Sequence, residues 1–176
     1  MPQDDDRRAM QNAGMGGGPT HLRTLALLVR GKNINEETLL ATDYLNHFNE
    51  IIMMLDLVPD MPECMEDARA WTPKSYEEHF QDSAFADKDL AIFAYEHAPE
   101  QYRVPFDATI QQLDRLVAEG LSEIEAVLET REEGRIRESV SIISRNLQRL
   151  IDLASAIIHG DTRTVDQSSI DAIFDS

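Results

Sequence analysis

Residues 106–127 read FDATIQQLDRLVAEGLSEIEAV, and residues 136–157 read IRESVSIISRNLQRLIDLASAI. In the first stretch Phe106, Ile110, Leu113, Val117, Gly120, Ile124 and Val127 step by 4, 3, 4, 3, 4 and 3. Ile136, Val140, Ile143, Leu147, Leu150, Ala154 and Ile157 repeat the pattern in the second. This is the spacing that keeps one apolar seam on one side of a helix and lets two such helices interlock. The link between them, Glu129 to Gly134, is polar and carries a glycine suited to a turn. So short a link forces neighbouring helices to run antiparallel. The fold class expected is all-α: a helical bundle built on a long antiparallel hairpin.

Upstream of the hairpin, Leu40, Tyr44, Phe48, Ile51 and Leu55 recur at helical spacing, with Asn33 and Asn35 as caps and Glu36 and Glu37 at the positive end of the helix dipole. A helix from Asn35 to about Pro59 is expected. Residues 60–105 are broken by prolines into short pieces: Pro62–Trp71, Lys74–Gln81 opened by Thr72-Pro73, and Lys88–His97 capped by Asp87. Pro99 and Pro105 are expected to delay the hairpin's first arm until Phe106. Trp71, Tyr76, Phe80, Phe85, Phe93, Tyr95 and Tyr102 lie in this region, which is expected to cap one end of the bundle. The outer face of the hairpin needs cover, from the helix after Asn35 or from a second copy in a dimeric four-helix bundle.

Three segments result: a mostly disordered N-terminal tail over 1–33, a helical bundle domain over 34–160, and a tether plus recognition segment over 161–176. Within the tail, His21 to Arg30 has the pattern of a short amphipathic helix ended by Gly31.

The chain holds 33 acidic residues against 16 basic ones, a formal charge of −17. Such a field repels phosphate backbones and anionic headgroups, so neither nucleic acid nor a membrane surface is expected as a partner. The single cysteine, Cys64, fits a reducing cytoplasm and forms no internal disulfide. No signal-peptide core stands in MPQDDDRRAMQNAGMGGGP at residues 1–19.

Catalytic motifs are scarce. There is no Gly-x-Ser-x-Gly, and Gly16-Gly17-Gly18-Pro19 lacks the Lys-Ser/Thr of a phosphate loop. No cofactor is expected. The alternative is a metal-binding helical-bundle enzyme using His47, Glu50, His79 and His97. His47 and Glu50 share a helix face, but Glu78-His79 and Glu96-His97 are adjacent pairs whose side chains diverge. A further alternative is a dimeric scaffold that binds through residues 60–105.

After Gly160, a natural helix terminator, a polar stretch leads to DQSSIDAIFDS at residues 166–176. Ile170, Ile173 and Phe174 fall at i, i+3 and i+4, an apolar stripe flanked by acids. That pattern presents anchors to a groove on another protein. The segment resembles the CheY-binding peptide of FliM-type flagellar switch proteins, a Ser-Gln-x-x-Ile-Asp-Ala-Leu-Leu/Phe run. Gln167, Ile170, Asp171, Ala172 and Phe174 match it, Ile173 replaces leucine, and Asp166 stands where serine is usual. A helical hairpin followed by a tethered CheY-binding peptide is also similar to the CheZ family. The Gln-Asp-x-Thr-Gly-Gln-like run that serves phosphatase chemistry in that family has no equivalent here: Gln81-Asp82-Ser83 is followed by Ala84-Phe85. The resemblance therefore implies a non-enzymatic adaptor of bacterial chemotaxis or motility signalling. Its partner would be a response-regulator receiver domain, held by Gln167, Ile170, Asp171, Ala172, Ile173 and Phe174.

Overall fold

The computed structural model describes residues 18–161. The two heptad stretches form helices α6 (Glu100–Thr130) and α7 (Glu133–Ile158), preceded by α1 (Pro19–Val29), α2 (Asn46–Leu57), α3 (Cys64–Ala70), α4 (Tyr76–Asp82) and α5 (Lys88–Glu96). A 3-10 turn, Thr42–Leu45, leads into α2. Among the described residues there is no strand, and no helix is long and apolar enough to cross a membrane.

The hairpin seams behave as their periodicity requires. Every seam residue of both arms is buried except Val127, which is half-buried. At the usual rise α6 extends about 46 Å. It starts six residues before Phe106, because Pro99 precedes the first turn and Pro105 comes early enough to be tolerated. The hairpin turn is tighter than the sequence suggested. Arg131 carries the left-handed backbone (φ 58°), and Gly134 lies within the first turn of α7. Thr130 stabilises the turn by donating its hydroxyl to the Val127 carbonyl at 2.7 Å and accepting the Glu132 N–H at 3.3 Å.

Helix α2 covers the hairpin along α7, running antiparallel to it. At the turn end Arg137 pairs with Asp60 at 2.8 Å, and one level further Ser144 donates to Asp56 at 2.6 Å. At the open end the Thr38 hydroxyl donates to the Ile158 carbonyl at 2.6 Å. Phe48, Ile51 and Leu55 from α2 are fully enclosed. One chain thus buries both seams by itself, and that burial does not require the dimeric four-helix bundle.

The expected helix from Asn35 does not form; α2 begins at Asn46. Thr38, Leu39, Leu40 and Ala41 are consecutive and all enclosed, whereas a surface helix buries only a stripe. The chain instead makes a closed loop. Asn35 Oδ1 accepts the Glu37 and Thr38 N–H groups at 2.9 Å each, Leu39 takes a positive φ of 60°, and the Asn35 N–H bonds the Leu40 carbonyl at 2.9 Å. Helix α4 also starts later than the Thr72-Pro73 reading placed it. Ser75 and Glu78 form a reciprocal capping box, Ser75 Oγ accepting at 3.1 Å and Glu78 at 2.8 Å.

The stretch before residue 34 is not merely tail. Leu25 and Val29 of α1 enter the core, so residues 19–29 belong to the folded unit; residues 1–17 lie outside the described residues. Helices α1, α4 and α5 gather at the open end of the hairpin, with Tyr44 and Tyr76 meeting Phe106 at 6.0 Å and 6.2 Å between ring centroids, whereas α3 packs on α2 and α6 toward the turn, where Arg69 pairs with Glu125. Tyr76 stacks on Tyr95 at 4.4 Å. Phe93 departs from this cluster: it is 43% exposed and packs on His97.

Candidate functional site

The residues of the recognition segment, Gln167, Ile170, Asp171, Ala172, Ile173 and Phe174, lie outside the described residues. What the structure describes is the point where the chain leaves the bundle. Gly160 (φ +91°) closes α7 as the sequence reading proposed: its N–H bonds the Ile157 carbonyl, and the Asp161 N–H bonds that of Ala156, both at 2.9 Å. This is the paired arrangement in which a left-handed glycine satisfies the last carbonyls of a helix. Glu37 sits against Gly160 and also accepts the Tyr102 hydroxyl. The exit is therefore tied to both the loop at 35–41 and the start of α6.

The histidines of the metal alternative are not gathered. His47 is buried, and its Nε2 donates to the Thr72 carbonyl at 2.9 Å. Its ring stacks on Trp71 at 4.5 Å, while the Trp71 indole N–H donates to the His47 carbonyl at 3.0 Å. Burial lowers the His47 pKa, an effect its bond to Thr72 opposes. His79 lies 6.3 Å from it between centroids, but its Nε2 is engaged by Asp43 at 3.0 Å. His97 is held by the Phe93 carbonyl at 2.8 Å and packs on His21. Glu50 is exposed. Among the described residues no group of three or more His, Cys, Asp or Glu side chains is placed to hold a metal ion. The histidines serve as packing and hydrogen-bonding groups of the aromatic end.

A cleft of about 410 Å³, which the sequence reading missed, opens between α6 and the aromatic end. Asp107, Gln111 and Asp114 line it from α6, at i, i+4 and i+7 on one helix face. Tyr44, Tyr95 and the segment Pro73–Tyr76 form the opposite side. Asp107 Oδ1 accepts the Tyr95 hydroxyl at 2.8 Å. Burial pushes the Asp107 carboxyl up, and the Tyr95 bond works against that shift. Asp114 is pushed up to about 6 by burial alone. Its Oδ1 is buried and has no hydrogen-bond partner among the described residues, the sole side-chain atom there in that condition. Tyr44, raised by burial and then by the charge of Asp114, donates its hydroxyl to the Lys74 carbonyl at 2.7 Å. The Lys74 ammonium is turned away to Asp82 at 3.0 Å.

No sequence signal isolates this cleft. Asp107 and Asp114 each flank a seam residue and read as the solvated edge of an amphipathic helix, and the tyrosines arrive from distant segments. A second hollow, of about 440 Å³, lies between the 3-10 turn and α7. Asn46, Asn49, Gln148 and Ser155 line it, and it holds no orphaned buried polar atom among the described residues. No protein-family model, curated protein or solved structure matches the chain.

Proposed function

We propose that this chain is a non-enzymatic adaptor of bacterial chemotaxis or motility signalling that binds a response-regulator receiver domain through residues 166–176. The observation that carries the reading is the run Gln167, Ile170-Asp171-Ala172 and Phe174, with Ile170, Ile173 and Phe174 spaced i, i+3 and i+4 in the sequence. Three apolar anchors at that spacing fit a shallow groove on a globular partner, and Asp171 beside them suits a lysine or arginine at its rim. The bundle contributes a stalk. Its two long arms are held by buried seams, and the chain leaves it at a helix end fixed by Gly160, Glu37 and Thr38.

The test is a titration of phosphorylated and unphosphorylated receiver domains against the full chain and against a form lacking residues 166–176. The full chain is expected to prefer the phosphorylated domain, and the shortened form to lose binding. Phe174→Ala in the full chain is expected to weaken binding by about tenfold or more, the usual cost of truncating a central aromatic anchor. Equal affinity of the full and shortened chains would remove the mechanism.

A further inference from the structure

We propose that the groove between the outer faces of α2 and α3 docks a basic amphipathic helix of a partner protein, anchored on Met53, Met54, Leu57 and Trp71 and steered by Glu50 and Asp67. The inference does not depend on the receiver-binding segment, since its residues all lie between positions 50 and 71.

Helix α2 carries more apolar surface than covering the hairpin requires. Phe48, Ile51 and Leu55 form its enclosed stripe. A surface helix is ordinarily polar on the opposite side. Here Met53 and Leu57, one turn apart on the same face, are 69% and 49% exposed. Met61 follows at 43%, its N–H bonded to the Leu57 carbonyl at 2.8 Å. Beside them Met54 and Leu57 line a groove of about 340 Å³, whose other wall is Cys64 and Ala70 of α3 and Trp71 at its end. A single exposed apolar side chain needs no explanation, but a run of them beside one groove, rimmed by charge, marks an interaction surface. Methionine suits such a surface, because its flexible, polarisable side chain repacks around a partner. Trp71 is the rigid element: its ring stacks on His47, and its indole N–H is held by the His47 carbonyl.

Charge selects the occupant. Between residues 46 and 71 the chain holds six acids, with Arg69 its one lysine or arginine. Arg69 is committed to Glu125. Glu50 and Asp67 stand at the groove itself, and Glu63 lies one turn before Asp67. All three are exposed and have no ion-pair partner among the described residues. An apolar floor with acids at its rim complements a helix that carries apolar anchors on one side and lysines or arginines flanking them. A second copy of this chain, with a formal charge of −17, brings the wrong sign. So does the chain's own segment 166–176, which holds three acids and no lysine or arginine.

The experiment titrates the full-length chain with a blocked peptide made of two tandem copies of Leu-Lys-Lys-Leu-Leu-Lys-Leu, and with its counterpart in which glutamate replaces lysine. Neither contains tryptophan, so emission reports on Trp71, the one tryptophan of the chain. Calorimetry at about 0.15 M salt, where diffuse attraction to the acidic surface is largely screened, gives the affinity. Saturable binding of the lysine peptide with a change in Trp71 emission is expected, and no binding of the glutamate peptide. Met53→Gln combined with Leu57→Gln alters two exposed positions and no charge, and is expected to weaken binding at least about tenfold. Val104→Gln, the same kind of change at an exposed position near the start of α6, should leave it unchanged. Thermal melts confirm that both variants fold. Absence of saturation, an unmoved Trp71 emission, equal affinity of the three chains, or equal binding of the glutamate peptide would each overturn the proposal. Tighter binding in a full chain carrying Ile170→Ala and Phe174→Ala would assign the groove to the chain's own end. A dimer in light scattering that Met53→Gln with Leu57→Gln dissolves would assign it to a second copy. Either result replaces the basic partner.

Discussion

Asp114 is a half-buried carboxylate whose Oδ1 has no partner among the described residues. Burial raises its pKa from the ordinary 3.8 to about 6, the reverse of a salt-bridged aspartate. The direction fixes the sign of its linkage to stability. Between these two values the folded chain holds a proton that the unfolded chain has released, so stability falls as pH rises. The favourable contribution is complete below about 3.8 and gone once pH has passed through about 6. At neutral pH the ionised group is a net cost. Asp114→Asn is therefore expected to stabilise the fold by about 1 kcal/mol at about pH 7.5, a figure reduced for partial solvent screening, and by nothing resolvable at about pH 4. Urea unfolding of both proteins at the two pH values measures this. The same gain at both would show that the charge of Asp114 is not the cause. None of this is legible in the sequence, where Asp114 is one more acid beside the seam residue Leu113. Its burial depends on Tyr44 and on the Pro73–Tyr76 segment folding over α6, which no local pattern encodes.

The long helices are the legible part, because a heptad seam is a local property that survives into the packed state. Short connecting segments obey tertiary demands instead. Leu39, Leu40 and Ala41 must all be enclosed, so the chain gives up helix there although its apolar spacing suggested one. The turn at Arg131 likewise uses a non-glycine left-handed residue, with glycine available three positions on. At Gly120 helix α6 comes close against Ile143 of α7. A Cβ there would stand 2.7 Å from Ile143 Cγ2. That methyl belongs to a β-branched side chain with one strongly preferred rotamer in a helix, so it has little freedom to retreat. Gly120→Ala gains about 1 kcal/mol of helix propensity, but overpacking a seam costs about 1–3 kcal/mol. A net loss of about 1 kcal/mol is expected in chemical denaturation. In a cycle with Ile143→Ala, the double variant should be more stable than the sum of the single changes by about 1 kcal/mol or more. A stabilising Gly120→Ala would mean that the arms part easily and that the seam is looser than its burial implies.

At the scale of the whole molecule the charge decides behaviour that no single pair controls. With 33 acidic and 16 basic side chains, at least 17 carboxylates lack a basic side chain to pair with. The Lys and Arg ion pairs among the described residues, such as Arg30–Glu36 and Arg137–Asp60, are exposed. Exposed pairs contribute only about 0.2–1 kcal/mol each. The surplus acids repel one another in the compact state, and unfolding spreads the same charge over a larger volume. At about 0.01 M salt the screening length is near 30 Å, a large fraction of the length of α6, so acids on different helices still interact; at about 0.3 M it is well under 10 Å. Raising sodium chloride over that range should therefore stabilise the fold, with Tm rising by about 2–4 °C. Chloride is the right anion for this measurement, because sulfate strengthens burial by exclusion from the surface and would confound screening with a second effect. A Tm that fell with added chloride would place the balance with the surface pairs. Neutralising acids remote from those pairs would then leave stability unchanged instead of raising it.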